Sequence, residues 1–302
     1  ESAMKTRAQI QLLPDGHRLH LHDGPIDVVL EAFGDDAAVR MAYRAAADRF
    51  VTVLDELCAE LPLLRTKAMR KNTQPQGSIA RRMFQAVAPF AEDFFITPMA
   101  AVAGAVAEEI LLAMTSAADL DRAYVNDGGD IALYLDPDQS FTIGMVEEAS
   151  QPTLFGTLTV NCAQPSRGIA TSGWRGRSFS LGIADAVTVI ARTAAMADAA
   201  ATIVANAVDL PGHPGVQRQP ACEIAPDNDL GKRLVTTAVG NLARAEIDTA
   251  LSLGLACARS LQISGLVGAA ALSLKGVTSI LSPIVENESQ QFQYDNRCLT
   301  HA

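Results

Sequence analysis

Asp198 and Thr202 stand four residues apart in an alanine-rich run, Ala197-Asp-Ala-Ala-Ala-Thr202, so on a helix a carboxylate and a hydroxyl share one face a turn apart. Both are hard oxygen donors. Mg²⁺ takes such ligands and needs only one or two of them beside waters and substrate phosphates. Upstream, Gly128-Gly129, flanked by Asn126, Asp127 and Asp130, offers backbone that a phosphate or a planar ring can approach with no Cβ in the way. Thr171-Ser172-Gly173 brings hydroxyls and amides suited to a phosphate or ring edge, and Arg175 and Arg177 follow as anion partners. Arg81 and Arg82 end the one basic stretch and can steer a phosphorylated molecule. Each group also has a plainer reading. Asp198 can be an acid favoured by the helix dipole, the glycine pair an ordinary turn, the Thr-Ser-Gly a polar loop and the basic run a solvated surface. His20 and His22 alternate along one strand face and read as surface.

The elements that must position these residues are legible from patterning. Residues 8–12, 17–22 and 26–33 alternate and are separated by Pro14-Asp-Gly16 and Asp23-Gly-Pro25, which predicts three antiparallel strands. Asp35 and Asp36 open a helix whose apolar face runs from Val39 to Leu57, with Pro62 as its stop. Thr97 and Pro98 open a second helix over about 99–114. Strands are predicted at 122–126 and 131–135 around the Gly-Gly, the second pairing with 141–146 across Asp136-Pro-Asp138, and at 157–160 and 186–190. Thr193 opens the alanine-rich helix, 211–220 reads as a linker and 230–261 as a helix. Residues 265–281 are a strand pair or a buried helix. The expected class is α+β, with mixed or antiparallel sheets covered by Ala-rich helices. Residues 5–282 form one domain or two packed halves, and 283–302 a polar tail.

Composition narrows the partners. With 302 residues, 49% of them hydrophobic, the chain can bury a large core. Its 34 acidic against 24 basic residues give a net charge of −10, which opposes binding to nucleic acid or to an anionic membrane. Five scattered cysteines, in no CxxC spacing, indicate neither a disulfide framework nor a zinc site and predict a reducing, cytoplasmic setting. The uncharged run over residues 260–274 is too short to span a bilayer. The expected partner is a small phosphorylated cofactor or substrate, and self-association into a homo-oligomer stays open.

Taken in order, Val125-Asn-Asp-Gly-Gly-Asp-Ile131, Gly168-Ile-Ala-Thr-Ser-Gly173, Thr188-Val-Ile190 and Ala197-Asp-Ala-Ala-Ala-Thr202 resemble the ApbE-like flavin transferase superfamily. With Thr97-Pro-Met-Ala-Ala-Val-Ala-Gly104 included, the resemblance is to an uncharacterised branch of it. It implies an ApbE-like fold, FAD or FMN as cofactor, and Mg²⁺ held by Asp198 and Thr202. It also implies a cofactor cleft drawing on Asn126, Gly128, Gly129, Asp130, Thr171, Ser172, Gly173, Arg81 and Arg82, with the Gly-Gly and Thr-Ser-Gly elements facing one ligand. The transferases carry a His-(apolar)₂-Asp-Pro stretch after their Thr-Ser-Gly, the His serving as base, and a Lys ahead of the helix Gly. Here Phe179-Ser-Leu-Gly-Ile-Ala-Asp185 and Ala103 stand in those places, and no His occurs between His22 and His213. The expectation is a protein that binds or processes a flavin nucleotide or a similar heterocycle without covalent transfer. Asp185, Asp130 or Glu147 acting with the metal would instead allow hydrolysis of FAD. A non-catalytic carrier or cofactor-assembly protein using the same cleft is the alternative of another class.

Overall fold

A computed structural model describes residues 7–69, 75–146 and 154–284. Two compact units emerge: residues 1–139 with 167–170 and 192–199, and residues 140–166 with 171–191 and 200–302. The α+β class is as expected.

In the first unit, β1 (Gln9–Leu12), β2 (Leu19–Asp23) and β3 (Ile26–Phe33) form an antiparallel meander. It continues through β4 (Arg122–Asp127) and β5 (Asp130–Leu135). Alternate residues such as Leu21, Val28, Leu30, Ala123 and Val125 point into the core, as a half-buried antiparallel sheet requires. The helix expected up to Pro62 is three: α1 (Asp36–Phe50), α2 (Val53–Ala59) and α3 (Leu61–Leu64). Pro62 opens the last of them rather than closing the first, because a first-turn proline has no intrahelical N–H to lose. After α4 (Ser78–Val87), a short 3₁₀ turn at Ala88–Phe90 and another at Pro98–Ala101 lead into α5 (Val102–Ala117). Residues 98–117 are long and apolar enough to cross a membrane. Within this unit, however, α5 packs on α1, β4 and β5 and carries ion-paired Glu108 and Glu109, which is the behaviour of a core helix.

Gly104 sits where α5 touches residues 192–199. A Cβ there would lie 2.3 Å from the Ala194 carbonyl oxygen, so the backbones meet without a side chain between them. Gly104→Ala is expected to destabilise the fold by about 1–3 kcal/mol through overpacking. Urea melts of the two proteins would measure the difference, and equal midpoints would show the contact is slack.

In the second unit, β6 (Ser140–Val146) pairs with β7 (Leu154–Asn161). This corrects the predicted β5–β6 hairpin. The free side of β5 is occupied within the first unit, where Ile131 and Ala132 pair with Ile169 and Gly168. β8 (Gly168–Ser172) ends in this unit, followed by β9 (Ala186–Ala191) and α6 (Ala194–Ala207), which Thr193 opens by accepting the Met196 N–H on Oγ1 at 3.3 Å. β10 (Val216–Pro220), α7 (Ala221–Ile224) and β11 (Leu234–Val239) replace the predicted linker and the first part of the predicted 230–261 helix. The Leu234-Val-Thr-Thr-Ala-Val239 run is rich in β-branched residues and finds a partner in β10, so pleated pairing overrides the apolar periodicity. The helix proper, α8 (Arg244–Ile263), begins after Gly240. β12 (Ala269–Leu274) and β13 (Val277–Leu281) choose the strand-pair reading and extend β9 into an antiparallel sheet on which α8 packs. Most of the predicted tail, and Glu147, lie outside the described residues.

Candidate functional site

The Gly-Gly element is the turn between β4 and β5. Asp127 and Asp130 face each other in register, and Gly128 and Gly129 take φ values of +64° and +114°, left-handed backbone that glycine adopts without strain. Asn126 closes the turn, its Oδ1 accepting the Gly129 N–H at 2.8 Å. A Cβ on Gly129 would meet nothing within 4 Å, so the outer side of the turn is open to an approaching group. Asp127 and Asp130 are both buried. Asp127 Oδ1 accepts the Asp27 N–H at 3.3 Å.

Asp198 lies beyond the first turn of α6, which removes the simple helix-dipole account of it. Its carboxylate instead accepts backbone N–H bonds from Gly104, at 3.2 Å to Oδ2, and from Ala103. These are amides of the first turn of α5, which have no partner inside their own helix. Burial pushes the Asp198 carboxyl up, to about 8. The negative charge of Asp127 acts in the same direction, while the two amides oppose both. A half-buried carboxyl in the field of a second one has much to gain from a cation. Thr202 follows one turn along α6.

Arg81 is exposed and donates to the Gln76 carbonyl at 2.8 Å. Arg82 is half-buried between two acids: Nε lies 3.1 Å from Glu108 Oε2, an ion pair whose angle falls short of a hydrogen bond, and Nη2 donates to Glu109 Oε2 at 3.2 Å. Glu109 also accepts from Arg49 Nε at 3.0 Å and from Ser78 Oγ at 2.7 Å. Arg82 is thus a brace within this unit, and Arg81 is the better placed of the two to meet an outside anion.

In the second unit the Thr171-Ser172-Gly173 loop is anchored on Asp185. Asp185 Oδ1 accepts from Trp174 Nε1 at 3.0 Å and from Arg175 Nε at 2.8 Å, and Oδ2 accepts the Lys275 N–H at 2.5 Å. Arg175 also lies over the Trp174 ring, 5.4 Å from its centroid. Gly173 is required by closeness, since a Cβ would sit 2.4 Å from the Asp185 carbonyl oxygen. Thr171 and Thr188 share a hydroxyl hydrogen bond of 2.9 Å. With both oxygens engaged, Asp185 holds the loop in shape and is badly placed to take a proton from a substrate.

Two residues carry more than the sequence reading gives them, Asp127 being read there only as a flank of the glycine pair. Asp127 stands in the inward parity of β4 with Ala123 and Val125, and an acid at such a position is itself a signal. Glu108 carried no signal, because its partner is a backbone amide of a helix distant in sequence: Oε1 accepts the Ala195 N–H at 2.7 Å.

A family model described as AbpE bacteria matches residues 10–280. A UPF0280 protein of Methanopyrus kandleri is 33% identical over 181 residues, which is 60% of this chain and 69% of that protein. A UPF0280 protein of Methanothrix thermoacetophila is 42% identical over 119 residues, 38% of this chain, and the match spans about half of that relative's length, 47%. Among solved structures, a mutant of the flavin transferase ApbE from Vibrio cholerae is 10% identical, over 92% of this chain and 97% of that one, with a TM-score of 0.46.

Proposed function

We propose that this chain, which belongs to the AbpE bacteria family, binds a flavin nucleotide or a chemically similar phosphorylated heterocycle together with Mg²⁺, and does not transfer it. The observation that carries this reading is the half-buried Asp198 carboxylate, held by the amides of Ala103 and Gly104 and facing the charge of Asp127. These surroundings fit a hard divalent cation, because they supply oxygen donors and a second carboxylate whose charge acts on the first. Asp198 and Thr202 would hold the ion, which would contribute positive charge toward the phosphates of the cofactor. The open side of the Gly129 turn offers backbone against which a phosphate or ring edge can lie, and Arg81 adds a cation for an anion approaching from solution.

Loss of chemistry is supported by residue types. The base expected after the Thr-Ser-Gly is absent from the sequence, and Asp185, the carboxylate nearest that place, is engaged by three donors. Binding without turnover follows from keeping the cation ligands while losing the proton acceptor. The protein is incubated with FAD, Mg²⁺ and a flavin-acceptor peptide, then examined by mass spectrometry and nucleotide chromatography. Flavin co-eluting with the protein, intact FAD and an unmodified peptide are the expected outcome. An FMN adduct on the peptide would restore transferase activity to this chain, and conversion of FAD to FMN and AMP would make it a hydrolase.

A further inference from the structure

We propose that Glu108 is a positioning residue for the Asp198 carboxylate, acting through the first turn of α6; this rests on Asp198 being a cation ligand. α5 and α6 cap each other. Asp198, on α6, takes first-turn amides of α5 at Ala103 and Gly104. Glu108, one turn beyond Gly104 on α5, takes the first-turn amide of Ala195 on α6. The two sets of bonds run in opposite directions between the same backbones, so together they fix both separation and sliding. Neither alone does so.

The contact is tight enough to transmit an error. With no room for a Cβ at Gly104 against Ala194, a shift in the start of α6 moves Asp198, three residues after Ala195, by a comparable amount. Glu108 is held in turn by Arg82, which joins it to Glu109 and Arg49. A half-buried ion-pair chain rooted in α1 and α4 therefore ends on the amide that sets where Asp198 stands. Partners of this kind, which touch no metal but orient the group that does, commonly change metal affinity by roughly 10–100-fold.

The test uses Mn²⁺ as a paramagnetic probe in place of Mg²⁺, titrated into the full chain while electron spin resonance counts free ion, beside thermal melts of each variant. Glu108→Ala is expected to weaken Mn²⁺ binding by roughly tenfold or more. Glu108→Gln, which keeps an acceptor for the Ala195 amide, should recover most of that loss. Glu108→Asp, which keeps the charge but falls short of the amide, should not. If Glu108→Asp binds like wild type while Glu108→Gln binds like Glu108→Ala, the charge matters rather than the bond, and the proposal is overturned. Should Glu108→Ala fail to fold, the Gln and Asp variants decide by the same comparison. Wild-type affinity in every Glu108 variant, with affinity lost in Asp198→Asn, would overturn the positioning role and leave the cation site standing. Unchanged affinity in Asp198→Asn would remove both.

Discussion

Asp198→Asn is expected to make the protein more stable in metal-free buffer at alkaline pH and, at the same time, to weaken Mg²⁺-dependent ligand binding by at least roughly tenfold. The asparagine oxygen can still accept from Gly104 N–H, so the cap on α5 survives while the charge is lost. In the wild type the carboxyl is raised from its ordinary value of 3.8 to about 8, so over that interval the folded protein keeps a proton that the unfolded chain has released. The stability this group contributes is therefore complete below about pH 4 and is lost as pH rises through about 8. Thermal melts in chelator should fall with pH in the wild type more steeply than in Asp198→Asn. Saturating Mg²⁺ should lift the wild-type midpoint at alkaline pH and leave that of the variant where it is. Thr202→Val should weaken the same binding by less, because a hydroxyl supplies a dipole where a carboxylate supplies charge. Parallel pH curves for wild type and Asp198→Asn would mean that the carboxyl is not perturbed.

The second large effect lies in the other unit and concerns stability. Asp185→Ala takes the acceptor from the Trp174 indole N–H and the Lys275 backbone N–H and removes the carboxylate paired with Arg175. An unmet donor costs about 1–3 kcal/mol when fully buried, and the part-buried Trp174 and Lys275 donors and the half-exposed Arg175 recover some of that in water, so the total is roughly 1–4 kcal/mol. Denaturant melts would measure it, with Trp174, the single tryptophan of the chain, as the fluorescent reporter. A loss below about 0.5 kcal/mol, the usual range for a surface change, would contradict the anchoring role.

The parts of the fold legible in the sequence are those decided by local pattern. The strands β1 to β3, the Gly-Gly turn between β4 and β5 and the Thr193 start of α6 all follow from alternation, turn residues or caps. Pairing decided by distant partners was not legible. β5 takes residues 168–169 rather than β6, and 234–239 becomes a strand only because β10 is there to receive it. The candidate site divides in the same way. Asp198, Gly128 and Gly129 each have a plain structural reading by type and spacing, and only the order of motifs that carries the family resemblance marks them as site candidates. What surrounds them, namely the amides of Ala103 and Gly104, the nearby Asp127 and the Glu108 cap, is created by packing between segments far apart in the chain. Arg82 has the residue type of an anion partner, yet folding pairs it with Glu108 and Glu109.

The most direct measurement of the central claim is a calorimetric titration of FAD and of FMN into the protein, with Mg²⁺ and with chelator, repeated on Asp198→Asn. Saturable binding of at least one flavin nucleotide that depends on Mg²⁺ in the wild type and disappears in the variant is the predicted result. Binding that is indifferent both to the metal and to the substitution, or no flavin binding under any of these conditions, would contradict it.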